Sequence, residues 1–321
     1  MNSEKWVLAI ATGKHQRPLI YAAQEEGFKV LGIDRNPDNS IADKHLKCST
    51  YDHLRCLNEI KEIIKYVNLF GVIARVSGPA VVTAAKIADH YKLKSYGSLL
   101  ANSSLSKHDL YKTCTYLKIP SIFSEIVENP AEIRKLSNFV IKPDIPIHGK
   151  KNVFHCQNDK SFLRKFHSAS EESLNRKVVV QPYVEGIDII AATIVIEGAP
   201  LWIHLINENV NEINGKYYNS KVSNASPCTV RNAKNNNLAG AIARLFRYWN
   251  CTGFVFLSFK YTNNGTFVLY EVNPGLCGDD IAEGYLNANF TDANFFNIDV
   301  KVMTGEYKNL VSKSMKAKSL I

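Results

Sequence analysis

Among the seven cysteines (Cys48, Cys56, Cys114, Cys156, Cys228, Cys251 and Cys277) there is no Cys-x-x-Cys pair and no zinc-like pairing with histidine. An odd, unpatterned set argues against a disulfide framework and fits a reduced cytoplasmic compartment in which thiols serve as small core residues. Long uninterrupted apolar runs are also missing. The most apolar stretch, residues 187–206, is broken by Asp188, Glu197, Gly198, Pro200 and His204, so it reads as two strands joined at Glu197-Gly-Ala-Pro200 and not as a membrane span. The start, Met1-Asn-Ser-Glu-Lys5, runs straight into a short apolar strand, with no basic segment followed by a long apolar one as in a secretory leader. Gly13 stands alone and forms no Gly-x-Gly-x-x-Gly dinucleotide fingerprint. No Ser-His-Asp arrangement points to nucleophilic catalysis.

What is present is enough to bury more than one core. At 321 residues, with 45% hydrophobic and 10% aromatic composition, the chain is expected to fold as two or three packed subdomains and not to be disordered. The net charge of +9 is spread along the chain and densest at Lys301, Lys308, Lys313, Lys316 and Lys318. A solvated surface explains that tail, so the expected partners are small anionic molecules, with no nucleic acid and no membrane.

The first hundred residues alternate strand and helix. Strands are expected at Trp6–Ile10, Lys29–Ile33 and Phe70–Ala74. Helices are expected at Leu19–Glu26, after Pro18; at His53–Val67, with apolar residues at helical spacing; and at Pro79–His90. This order implies a parallel sheet with helices on both faces and ligands outside the carboxyl ends of the strands. Thr12, Asp34, Arg75 and Ser77 lie at those ends, and a turn-forming or strand-capping role is the first reading of each.

Further along, Lys107 opens an amphipathic helix that ends at Lys118-Ile-Pro120, and a helix start bearing a lysine is a plausible phosphate neighbour. Phe139-Val-Ile-Lys142-Pro143 is an apolar strand whose last side chain before the proline is cationic, so Lys142 either snorkels to solvent or meets an anion in a cleft. Residues 143–151 form a basic, glycine-containing loop. It can fold its amides over phosphates, or it is an ordinary hairpin loop. In Val178-Val-Val-Gln181-Pro-Tyr183-Val184-Glu-Gly-Ile-Asp188 a buried strand breaks at a proline, offers free backbone groups near Tyr183 and Val184, and presents an acid as the next strand opens. Adenine needs that donor and acceptor, and ribose hydroxyls need a carboxylate. Finally, Gly253–Tyr261 and Thr266–Val272 read as two strands joined by Asn263-Asn-Gly265, which supplies the positive-φ residues of a short hairpin. Glu271 and Asn273 are two apart at the end of the second strand, so both oxygens share one face, a donor pair suited to Mg²⁺.

Taken together, Lys107, residues 139–143, Gly149-Lys150-Lys151, residues 181–188 and residues 270–275 resemble the ATP-grasp superfamily, and the preceding alternation resembles its pre-ATP-grasp domain. The resemblance covers nearly the whole chain in the expected order. It implies an α/β fold with an α+β lid: a Rossmann-like parallel sheet at 1–105, a lid at 106–184 and a catalytic subdomain at 185–321. It also implies ATP and Mg²⁺ as cofactors. Lys107 and Lys142 would hold phosphates, Gly149, Lys150 and Lys151 the phosphate loop, Gln181, Tyr183 and Val184 the adenine, and Asp188 the ribose. Glu271 and Asn273 would hold the metal, while Lys221, Arg231 and Asp280 would stand at the reaction centre. The sequence departs from the pattern at Ser258, where a second metal-binding acid is usual, and at Gly275, where an arginine often follows. Asp279 or Asp280 could supply the missing charge, or cap the next helix. The implied activity is ATP-dependent joining of a carboxylate to an amine through an acylphosphate, on a small carboxylic or amino acid, with a homodimer as an allowed assembly. The alternatives are a carboxylase, a small-molecule kinase, and a nucleotide-binding protein without turnover.

Overall fold

Lys5–Ile10 (β1) is buried at every position after the first, which a strand satisfies only when both faces are covered. The computed structural model describes residues 4–37, 40–65, 67–133, 137–147, 151–157, 161–213, 216–276 and 281–321, and for 210–220 only the backbone. Around β1 stand α1 (Arg17–Glu25), β2 (Lys29–Asp34), β3 (Lys44–Lys47), α2 (His53–Ile64), β4 (Asn68–Ala74) and α3 (Pro79–His90). The strands form a parallel sheet in the order β3-β2-β1-β4, as the alternation predicts. The reading of the sequence passed over β3, whose Lys-His-Leu-Lys is largely exposed on the sheet edge and carries no apolar pattern. At the carboxyl ends, Asp34 accepts from the amides of Thr12 (2.8 Å) and Asn36 (2.9 Å), a capping role.

After α4 (Ser98–Leu105) and α5 (Lys107–Tyr116) comes a small antiparallel sheet. It consists of β5 (Glu125–Val127), β6 (Asn138–Pro143), β7 (Phe154–Gln157) and β8 (Val178–Pro182) in the order β5-β8-β6-β7, with α6 (Phe162–Glu171) packed on β6 and β8. A larger antiparallel sheet follows, built of β9 (Ile187–Ile196), β10 (Ala199–Ile213), β11 (Lys216–Asn224), β12 (Gly253–Tyr261) and β13 (Phe267–Pro274). Its order is β11-β10-β9-β12-β13. α7 (Pro227–Asn235) and α8 (Leu238–Trp249) precede β12; a π-helical stretch at Ile281–Leu286, α9 (Asn287–Asn289), α10 (Phe295–Thr304) and α11 (Lys313–Ala317) complete the chain. The segment 207–229, patternless in sequence, contains the end of β10 and all of β11.

The parallel sheet and the five-stranded sheet share one apolar cluster, from Val7 and Ile10 through Trp202, Phe254 and Phe295. The small sheet has a separate one, with Phe139, Ile141, Phe166, Val178 and Val180. In the β12–β13 turn only Gly265 takes a positive φ (+83°), so the two asparagines do not contribute the left-handed residues expected of them. No helix among the described residues is long and apolar enough to cross a membrane.

Candidate active site

Alternation along β6 decides where Lys142 goes. Phe139 and Ile141 face the small sheet's own core, and Val140 and Lys142 therefore line the cleft between that sheet and the five-stranded one. Lys107, Lys151, Gln181, Tyr183, Val184, Asp188, Glu208, Lys260, Tyr270 and Glu271 line the same cleft. Among the described residues Lys142 makes no ion pair. Its ammonium lies 6.0 Å from the centre of the Tyr270 ring. Burial is the main cause that lowers its pKa to about 7; Lys107 and Lys260 add repulsion, while Glu271 and Asp188 oppose the shift.

On the floor of the cleft the charges are paired. Lys107 meets Glu271 Oε1 at 3.0 Å. Lys260 sits directly opposite Asp188 across β12 and β9 and bonds its Oδ2 at 2.7 Å. Tyr270 donates to Asp188 Oδ1 at 3.1 Å, and burial, followed by the charge of Asp188, holds its hydroxyl well above the usual tyrosine pKa. Asp188 thus already has two partners at the place where the sequence foresaw a ribose contact.

The β12–β13 pairing explains why Tyr270 and Glu271 both reach the cleft. Ser258 pairs with Glu271 and Phe259 with Leu269, so one residue of β13, Tyr270, has no opposite on β12 and the strand bulges there. A bulge shifts the side-chain phase, and the buried–exposed alternation of β13 slips there. Beyond it Glu271 and Asn273 still share a face, one on each side of buried Val272. Buried Ser258 lies directly across from Glu271, so no carboxylate faces Glu271 from β12.

At the rim, Gln181 donates to Ser124 Oγ at 2.6 Å. The Tyr183 amide is not free, as the sequence suggested, because it donates to Asn138 O at 3.2 Å. Its ring stacks on His155 with centroids 3.9 Å apart. Lys151 pairs with Glu172 at 2.9 Å. Lys221 and Arg231 are exposed, on β11 and α7, and are not brought to the cleft lining. Gly149, Lys150, Asp279 and Asp280 lie outside the described residues. The sequence reading missed Lys260, Tyr270 and Glu208. For Lys260 a signal existed: it stands two residues beyond Ser258 on the same strand face.

Glu271 and Asn273 can offer a carboxylate and an amide oxygen to one hard divalent cation. Among the described residues no group of three or more His, Cys, Asp or Glu side chains could hold a metal ion, so the donor set fits an ion shared with ligand oxygens and not a closed protein cage.

No protein-family profile matches the chain. Over 200 residues it is 20% identical to the large chain of carbamoyl phosphate synthase from Pseudothermotoga lettingae, a match covering 60% of this chain and 18% of that one, so the chain spans under a fifth of that relative's length. Among solved structures it is similar to an L-amino acid ligase from Bacillus licheniformis (16% identity, TM-score 0.73, covering 96% of this chain and 77% of that one). A phosphoribosylglycinamide synthetase from Anaerococcus prevotii is similar at 13% identity and TM-score 0.69, covering 95% and 76%. The biotin carboxylase domain of the Hydrogenobacter thermophilus 2-oxoglutarate carboxylase, in complex with MgADP, ADP and bicarbonate, is similar at 11% identity and TM-score 0.72, covering 98% and 73%.

Proposed function

We propose, on the premise that the chain has the ATP-grasp fold, that it is an ATP-dependent ligase joining a small carboxylate to an amine. Lys142 carries this reading. A lysine held in a cleft with no ion-pair partner among the described residues, and depressed to about 7 by burial, is stabilised by an arriving phosphate. Lys107 and Lys260 add to the positive field and would hold or steer phosphoryl oxygens. Glu271 and Asn273 would hold Mg²⁺, which supplies neutralisation of the phosphates when bound. For Glu271 to do so it exchanges its Lys107 partner for the ion, which leaves Lys107 free to contact phosphate. Gln181, Tyr183 and Val184 would border the base. Asp188, fixed by Lys260 and Tyr270, would keep acceptor capacity for a ribose hydroxyl. The substrate carboxylate would take the γ-phosphoryl group and release ADP, and the amine would then attack the acyl carbon, lose a proton and expel inorganic phosphate, which requires no protein nucleophile. We also propose a division at 1–105, 106–184 and 185–321, because one sheet falls in each segment.

Ser258 opposite Glu271 favours a second reading, nucleotide binding without turnover, because a lone carboxylate binds the ion less tightly than two. Thermal shift with MgADP tests binding, and ADP release over a panel of amino acids tests turnover. The expected result is a raised Tm that Lys142→Ala removes. A shift without ADP release on any substrate selects the second reading, and no shift at saturating nucleotide rejects both.

A further inference from the structure

β4 ends in Ala74 and passes straight into Arg75, whose side chain is 2% exposed. Its Nη1 and Nη2 meet the two carboxylate oxygens of Glu283 at 2.5 and 2.6 Å, a two-pronged fork, and Nη1 also donates to His15 O at 2.8 Å. The guanidinium lies 5.3 Å from the centre of the Phe296 ring. Among the described residues, three separate parts of the chain meet this one cation: the loop after β1, the π-helical stretch after β13, and α10.

The pair stands next to the strand end that carries Glu271 and Asn273. Gly275, at φ +86°, packs so closely on β4 that an added Cβ would lie 2.8 Å from Ala74 O, one residue before Arg75. The partners also differ in exposure. Glu283 is 44% exposed and Arg75 is 2%, so the carboxylate lies between the guanidinium and solvent. A planar fork binds any carboxylate in the same bidentate way. Glu283 thus occupies the guanidinium as a small external carboxylate would.

We propose that Arg75 and Glu283 form the recognition site for an α-amino acid. The substrate's carboxylate displaces Glu283 from the Arg75 fork, and the freed Glu283 takes the substrate's ammonium group. This deepens the ligase reading and rests on it. The zwitterion matches both halves of the pair, whereas a simple carboxylic acid leaves Glu283 without a cation.

Glycine and acetate, the smallest members of the two classes, are the probes, titrated into the full chain with MgADP and followed by ligand-observed NMR. The unsubstituted protein is expected to bind glycine at least about ten-fold more tightly than acetate, since the second charged contact is worth about that factor. Glu283→Gln removes an internal carboxylate competitor and should tighten acetate about ten-fold while erasing the preference for glycine. Arg75→Lys keeps the charge but not the fork and should weaken both probes about ten-fold or more. A pair that is only structural would shift Tm without moving the acetate affinity. Should either variant fail to fold, Glu283→Asp keeps the charge, shortens the arm and should tighten acetate by a smaller factor. Acetate affinity that is unchanged by Glu283→Gln or Glu283→Asp, or absence of glycine binding in a protein that does respond to MgADP, overturns the proposal and leaves the nucleotide reading standing. Absence of any MgADP response in the unsubstituted protein counts against the nucleotide reading instead.

Discussion

The two antiparallel sheets of this chain are held in different ways. The five-stranded sheet shares a single apolar cluster with the parallel sheet. The small sheet instead buries its side chains in a cluster of its own. It meets the body through polar or thin contacts: Lys142 over Tyr270, and the short pairing of residues 120–122, in the linker leading into it, with Leu269. Apolar burial scales with area and is costly to undo, whereas a few polar contacts can exchange with a ligand. The small sheet therefore has a core of its own, and the cleft lies on its seam with the body. Closure over bound nucleotide would use that seam.

The largest expected effect separates the two cores. Trp202 is fully buried in the shared cluster, touches Phe290 and Phe295, and donates to Met315 O at 3.0 Å. Trp202→Ala should cost about 3–5 kcal/mol and lower the Tm of the whole chain. Phe166→Ala in the small cluster should raise hydrogen exchange in β6 and β8 while β9 and β12 keep their protection. Equal loss of protection in both sheets would merge the two regions into one cooperative unit and break the comparison.

A smaller effect concerns the body alone. Asp299 on α10 is fully buried, and neither carboxylate oxygen has a partner among the described residues. Burial raises its pKa to about 7. Because the folded state holds the proton more tightly than the unfolded chain, stability falls as pH rises from about 4 to about 7 and stays reduced above that. Asp299→Asn should thus gain on the order of 1–3 kcal/mol at pH 8 relative to its effect at pH 4. Denaturant titrations at the two pH values check it, and an equal effect at both would place Asp299 in a wetter or paired setting.

The smallest effect is on the seam. Lys142 titrates near 7 without ligand, so its depressed pKa makes the free protein more stable as pH climbs from 7 toward 10.5, while an anion needs the protonated form. MgADP affinity should fall by up to about ten-fold per pH unit above 7, with uptake of one proton on binding at pH 8. Calorimetry in two buffers of different ionisation enthalpy measures that proton. No buffer dependence at pH 8 would mean that the lysine is charged in the open cleft.

Much of this arrangement is written in local pattern. Alternation of strand and helix announces the parallel sheet, and a cation ending an apolar strand before Pro143 marks Lys142. The two-residue spacing of Glu271 and Asn273 survives because the bulge falls one residue earlier, at Tyr270. That same bulge hides Tyr270, since a residue beside Glu271 reads as facing the other way. Lys260 and Asp188 are 72 positions apart in the chain, and only the pairing of β12 with β9 brings them together. β3 and β11 are polar edge strands, so no apolar period betrays them.

The short contact made by residues 120–122 has a further consequence. β13 is the outer strand of its sheet, and Ile122 and Leu269 each donate across this pairing at 2.9 Å, to Leu269 O and Pro120 O. The linker leading into the small sheet therefore also caps a row of backbone groups that would otherwise recruit another chain. Opening this contact would expose that edge and favour self-association, so the body's solubility depends on the linker that leaves it.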